Sequence, residues 1–308
     1  MGRRVALFVL SLCIAHAQRP DFRSGSELVR LAVTVTDRDG HAVRALQRSA
    51  FIVSEDGAQR AIEQFAAETV PLTLVVALDL STSMQGRRIA SARSAVLRLL
   101  ERLQPEDEFV VIGFNDRVFN ITDGNKDPGV VKEALERAHP GGATNLYTAV
   151  GDGVRLLERA AARPRRALIV ISDGRDAVPV PGAPPTQSSA FGDKKITEQR
   201  EAAALQIVRR SEALVYAIGL DAGNAAGQDV PALRRLTDPT GGITEPVETD
   251  DGAVAAAERI GDELRVQYLL GFAPDHHDGK FHAVQVSLSG CDGCRARTRA
   301  GFVAARTR

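Results

Sequence analysis

The sequence predicts an α/β fold, a doubly wound and mostly parallel sheet, joined to a smaller β subdomain built from the N- and C-terminal segments. Three observations carry that prediction. Between residues 71 and 242, short runs of Val, Ile and Leu alternate with longer amphipathic segments, the pattern of repeated βα units. The runs lack a polar alternation, as strands buried on both faces do. The flanking stretches, 18–70 and 243–308, instead alternate apolar and polar residues between Asp-Gly turns, as half-exposed antiparallel strands do.

In chain order, 28–35 reads as a strand, followed by a turn at Asp37-Arg38-Asp39-Gly40, a second strand at 51–54 and a turn at Asp56-Gly57. The buried runs are 72–78, 109–114, 167–171 and 213–220. Helices are expected at 87–103, 130–138, 146–162 and 196–211. The first of these carries Ile89, Ala92, Val96, Leu99, Leu100 and Leu103 on one face. Residues 178–195 interrupt the repeat with Pro179, Pro181, Pro184 and Pro185, so they read as a long loop between a strand and a helix, either a partner-selecting loop or a plain insertion. The last stretch predicts a helix near 253–264 and strands at 266–272, 281–289 and 295–303. Each flank is too small to bury a core alone, so the two are expected to pair.

Composition narrows the function. The 308 residues are 44% hydrophobic, with 39 Lys+Arg against 39 Asp+Glu. That balance, with no basic run, argues against nucleic acid as a partner. With no Trp and 5% aromatic residues, the chain has little material for a stacking platform.

Residues 1–17 read as a cleavable signal peptide, with Arg3 and Arg4, an apolar run over 5–15 and the small-residue pattern Ala15-His16-Ala17. Cleavage is expected after Ala17. The apolar run is shorter than the ~20 residues that span a bilayer, and no later segment is long enough, so the mature chain is expected to lack a transmembrane segment and to be secreted or periplasmic. Removing Cys13 with the leader leaves Cys291 and Cys294, in Cys-Asp-Gly-Cys. Asp-Gly there reads as a two-residue hairpin turn between 282–289 and 295–302, which sets the cysteines opposite each other for a cross-turn disulfide, with free thiols as the alternative. A thioredoxin-like role would need a helix N-terminus at this place.

The chemistry gathers at strand ends. Asp79-Leu80-Ser81-Thr82-Ser83 follows the first buried run, Gly141-Gly142-Ala143-Thr144-Asn145 precedes a helix, and Ile171-Ser172-Asp173-Gly174 closes the third run. Open α/β sheets bind ligands at that edge. If the three loops converge, Asp79, Ser81, Ser83, Thr144 and Asp173 supply only oxygen donors, which suits a hard cation such as Mg²⁺ or Mn²⁺, with Ca²⁺ a further option, and does not suit zinc. Five such groups leave a coordination position for an outside oxygen. Read singly, Asp79, Ser81 and Ser83 could be helix caps and turn formers, but three such loops in this order are not explained that way.

These residues resemble the metal-ion-dependent adhesion site of the von Willebrand factor type A domain, whose fold is Rossmann-like, over 71–242. The flanks, through Val33 to Gly40, Phe51 to Gly57 and Gln267 to Phe272, are similar to the bacterial VWFA-related proteins. The resemblance implies that Ser81, Ser83 and Thr144 ligate the metal directly. It implies that Asp79 and Asp173 act largely through bound waters, and that a partner protein's Asp or Glu completes the shell. The expected function is therefore metal-dependent protein binding by an exported, adhesion-type protein. The alternative is a structural or envelope-assembly protein in which the metal only stabilises the domain.

Enzyme readings lack their key groups. There is no Gly-x-x-x-x-Gly-Lys, Ser81 lies in no Gly-x-Ser-x-Gly elbow, and His139 has no marked acid partner. The chain is expected not to be an enzyme. His276, His277, Asp278 and His282 could form a second metal cluster, but their place between strands reads first as a solvated polar loop.

Overall fold

The computed structural model describes residues 28–67, 70–159, 165–178, 194–221 and 227–306. The expected leader and its cleavage point, and all but the ends of the 178–195 loop, lie outside these residues.

The central sheet has six strands. Its middle strand, β5 (Leu72–Asp79), is buried at every position, and its side chains alternate between two cores. Leu72, Leu74, Val76 and Leu78 face one cluster, Val75 and Ala77 the other. Helices α1 (Arg87–Glu101), α2 (Pro128–Arg137) and α6 (Asp250–Arg265) contribute to the first cluster. The second is filled by α3 (Leu146–Arg159), α4 (Lys194–Arg210) and α5 (Val230–Thr237). Burying one such Leu or Val side chain is worth about 1.5–3 kcal/mol, so both faces of the sheet are strongly covered.

Beside β5 lie β6 (Glu108–Phe114) and β8 (Arg165–Ser172), both parallel to it. Beyond them stand β7 (Val118–Asn120), antiparallel to β6, and β9 (Leu214–Leu220) and β10 (Thr244–Val247), which continue the parallel order. The full order is β10-β9-β8-β5-β6-β7. The chain leaves β5 towards β6 on one side and returns to β8 on the other. The C-terminal ends of β5 and β8 therefore flank the point where the winding reverses, where open sheets form a crevice.

The flanks build two four-stranded sheets. One runs β13 (Arg295–Arg297), β1 (Val29–Thr36), β11 (Tyr268–Phe272), β4 (Gln64–Ala66); the other runs β14 (Gly301–Val303), β12 (Phe281–Leu288), β2 (Phe51–Glu55), β3 (Ala58–Arg60). Each mixes strands from both ends of the chain. Their apolar faces share one core containing Leu31, Val33, Val53, Leu270, Phe272 and Val286. Phe51 meets Tyr268 across the sheets with ring centroids 4.8 Å apart, and Phe272 meets Phe302 at 5.9 Å. The antiparallel unit expected from the two flanks is present.

Two expectations change. β10 and α6 fall within the 243–308 segment but build the α/β layer: β10 pairs with β9, and Ala253, Ala256, Ala257 and Ile260 of α6 enter the core shared with α1. The reading missed β10 because Pro246 interrupts its run, which an edge strand tolerates. The 282–289 and 295–302 segments do not form a hairpin. β12 pairs with β2 and β14, and β13 crosses to β1 in the other sheet. The expected strand at 295–302 is split at Thr298-Arg299-Ala300, where Arg299 is buried and donates from Nε to the Gly301 carbonyl at 2.6 Å. A sheet-switching corner has the same alternation as a continuous strand, so the pattern could not separate them.

Among the described residues no helix is long and apolar enough to cross a membrane.

Candidate metal site at the sheet crevice

Asp79 is the last residue of β5 and is fully buried. Its Oδ1 accepts the Ser81 N–H at 2.8 Å, which closes an Asx turn and bends the chain away from the strand. Its Oδ2 accepts the Ser172 hydroxyl at 2.6 Å. Ser172 had no role in the sequence reading; its signal was its place at the end of a buried strand, beside Asp173.

Ser81 and Ser83 point to a common place, with their hydroxyl oxygens 3.0 Å apart. Ser83 in turn donates to Asp173 Oδ2 at 2.8 Å, and the other Asp173 oxygen accepts the Arg175 N–H at 3.1 Å. Asp79, Ser81, Ser83 and Asp173 thus form one connected group. Thr144 is buried on the third loop, and backbone hydrogen bonds pin that loop to both others. Gly141 N–H donates to the Leu80 carbonyl at 2.7 Å, while the Thr82 N–H and hydroxyl both donate to the Gly142 carbonyl, at 3.0 and 2.9 Å. Thr144 and Ala177 exchange N–H···O bonds of 2.9 and 2.8 Å. Gly142 has φ +85°, and a Cβ there would run into the Asp116 carboxylate. Asp116 Oδ1 accepts the Ala143 N–H at 2.8 Å, a contribution the sequence reading did not foresee.

A second tie holds the same loops. Arg200 of α4 pairs with the Asp176 carboxylate at 2.8 Å and also donates to Asn145 Oδ1. It joins the segment after Asp173 to the residue after Thr144.

The electrostatics are those of a site short of positive charge. Burial pushes the Asp79 carboxyl up to about 7, the Ser172 and Ser81 hydrogen bonds oppose the rise, and the nearby Asp173 carboxylate adds to it. Among the described residues no lysine or arginine forms a salt bridge with Asp79 or Asp173. The donors are carboxylate and hydroxyl oxygens only, the set that hard cations take.

The family model of the von Willebrand factor type A domain matches residues 74–175, a span that runs from within β5 to just past Asp173. The chain carries a von Willebrand factor type A domain. Among sequence relatives, inter alpha-trypsin inhibitor heavy chain 4 of Mus musculus is 30% identical over 129 residues, 37% of this chain and 14% of that protein. An uncharacterised protein of Synechocystis is 28% identical over 113 residues, 35% of this chain and 26% of the other. The chain therefore aligns with only about a quarter or less of these relatives' lengths. A solved von Willebrand factor type A structure from Catenulispora acidiphila superposes with a TM-score of 0.53 over 92% of this chain and 76% of that one, at 12% identity, a likeness of fold. In the type A domain of this chain, the crevice at β5 and β8 is where the five residues singled out in the sequence lie.

The remaining candidates fall outside the domain. Cys291 and Cys294 are joined by a disulfide, and Cys294 N–H donates to the Cys291 carbonyl at 3.2 Å, so the expected turn is present although its flanking strands belong to different sheets. His276, Asp278 and His282 gather with Glu55 and Asp56, which sequence spacing could not show.

Proposed function

We propose that this chain is an exported, adhesion-type protein. In this reading its type A domain holds a divalent cation, Mg²⁺ or alternatively Mn²⁺ or Ca²⁺, and uses it to bind an acidic group of a partner protein. The observation that carries the reading is the meeting of two carboxylates, Asp79 and Asp173, with the Ser81 and Ser83 hydroxyls in a crevice where, among the described residues, no lysine or arginine pairs with either acid. Ser81, Ser83 and Thr144 would hold the ion, with Asp79 and Asp173 behind them. A cation so weakly neutralised by the protein stays electrophilic and gains from an incoming Asp or Glu carboxylate.

The chain's own residues supply the rest. The Asx turn at Asp79 aims the Ser81 and Ser83 hydroxyls, Ser172 holds the Asp79 carboxylate, and Asp116 with Thr82 fixes the loop that carries Thr144. The donor set, two carboxylates and three hydroxyls, supports a binding role, and among the described residues none is arranged there as a nucleophile with its base.

The test is capture on an array of peptides paired as Asp/Asn and Glu/Gln variants, read in Mg²⁺ and in EDTA. Binding that needs both the carboxylate and Mg²⁺, and that Asp79→Ala loses while remaining folded by circular dichroism, is the expected result. If EDTA lowers the melting temperature but leaves peptide or partner binding intact, the metal only stabilises the domain and the reading fails.

A further inference from the structure

A second polar cluster lies in the β subdomain. His282, on β12, has a side chain 7% exposed and a carboxylate at each ring nitrogen: Nδ1 is 2.7 Å from Asp56 Oδ2 and Nε2 is 3.0 Å from Asp278 Oδ1. Asp56 belongs to the turn between β2 and β3, Asp278 to the connection between β11 and β12. A neutral imidazole has one N–H and one lone pair, so it can satisfy one carboxylate and must turn its lone pair on the other. The imidazolium donates to both.

We propose that His282 is a proton-operated clamp, which as imidazolium ties the β2–β3 turn to Asp278 of the β11–β12 connection and on losing its proton gives up one of its two carboxylates. The connection then loosens at Asp278, while Asp275 stays held by Arg60 and Glu55.

The surroundings favour the charged state. Glu55, Asp56, Asp275 and Asp278 bring four carboxylates, against the fixed cations Arg60 and Lys280. Arg60 Nε is 2.8 Å from Glu55 Oε2 and its other end pairs with Asp275, while Lys280 Nζ lies 3.7 Å from Asp278. His276, half exposed, has Nδ1 3.1 Å from Glu55 Oε1 and stacks on His282 with centroids 4.1 Å apart. Phe302 covers another side of His282 at 5.8 Å. Hydrogen bonds to Asp278 and then Asp56 raise the His282 pKa above 6.5, and the same contact with His282 holds the Asp278 carboxyl at about 2. Both acids are therefore ionised wherever the imidazole titrates.

A metal ion fits this cluster poorly, although Glu55, His276 and His282 offer ligand atoms within 4.8 Å of one another. The imidazole lone pairs lie in the ring planes, and these planes are stacked 13° from parallel, so they do not converge on one point. Glu55 is already held by Arg60.

The clamp contributes its full stabilisation below pH 6.5, and the contribution is lost as pH rises through the folded-state pKa. The test is NMR of the full chain with histidine-selective ¹³C labelling, titrated beside His282→Gln and Asp278→Asn, with thermal melts and limited proteolysis of the 273–280 connection across the same pH range. The account expects a resonance absent from His282→Gln that titrates above 6.5. It expects that midpoint to fall by about one unit in Asp278→Asn, and cleavage of the connection to increase as it titrates. A His282 midpoint at or below 6.5, or one unmoved by Asp278→Asn, overturns the clamp. So does Zn²⁺ added above neutral pH that raises the melting temperature of the wild type and not of His282→Gln.

Discussion

The Ser83 hydroxyl donates to the Asp173 carboxylate across 2.8 Å, joining two residues 90 positions apart in the chain. One sits on the loop after β5, the other on the loop after β8, so this bond spans the crevice where the sheet's winding reverses. With Ser81 on one side of it and the pinned Thr144 loop beside it, the site is a product of two strand ends and the loop between α2 and α3, and of no single motif.

Ser83→Ala should weaken Mn²⁺ binding by about tenfold to a hundredfold, the range seen when a ligand or its support is removed. Its effect on the fold should be small, because a half-buried hydroxyl is lost without creating a large cavity. Electron paramagnetic resonance of free Mn²⁺ measures the first effect and thermal melting the second.

Asp79→Asn should separate stability from metal binding. The carboxyl is raised to about 7 in the folded chain against an ordinary 3.8. The folded state therefore retains the proton longer than the unfolded one, and stability falls as pH rises from about 4 to 7. An amide of the same shape removes that penalty. In EDTA at pH 8 the variant should melt higher than the wild type, by an amount equivalent to about 2–4 kcal/mol, and Mg²⁺ should no longer raise its melting temperature.

Much of this was legible in the sequence. β5 and β8 were readable because a strand buried on both faces is a continuous apolar run, and the Asp-x-Ser-x-Ser segment was readable because it interrupts such a run abruptly. The positions that support the site were not. Asp116 lies on an ordinary-looking loop beside β6, and Arg200 on a helix whose exposed face is rich in charge, so neither differs in pattern from solvated residues. The hairpin expected around Cys291 and Cys294 failed because period-two alternation reports which face is buried and not which strand is the neighbour. The gathering of Glu55 with His276 and His282 depended on that same pairing, across more than 200 residues.

Asp107 locks the start of the central sheet to the end of α6. Its carboxylate accepts the Leu72 and Gln104 N–H groups, each at 2.8 Å, and pairs with Arg265. Burial alone would raise this carboxyl, but Arg265 and the two amides outweigh it and hold it below the ordinary value. Its stabilisation is therefore present above about pH 4 and is lost as pH falls through the lower folded value. Asp107→Ala leaves Arg265 unpaired and should cost about 3–5 kcal/mol at pH 7, a difference that urea denaturation should find much reduced near pH 2.

Tyr268 holds the segment after β1 against the β subdomain. Its hydroxyl donates to the Val43 carbonyl at 2.9 Å and accepts the Leu46 N–H at 3.0 Å. Tyr268→Phe keeps the ring packed on Phe51 but strands both backbone groups, at a cost of about 1–3 kcal/mol. Hydrogen exchange at Leu46 should accelerate while exchange in β5 stays unchanged.

The central claim is that the five crevice residues hold a divalent cation. Calorimetric titration of Mg²⁺ and Mn²⁺ into residues 18–308, beside Asp79→Ala and Thr144→Ala checked for folding by circular dichroism, tests it most directly. The account predicts one saturable site in the wild type that both folded variants lose. Equal binding by the wild type and both variants, or no binding by a folded wild type even with an acidic peptide present, would contradict it.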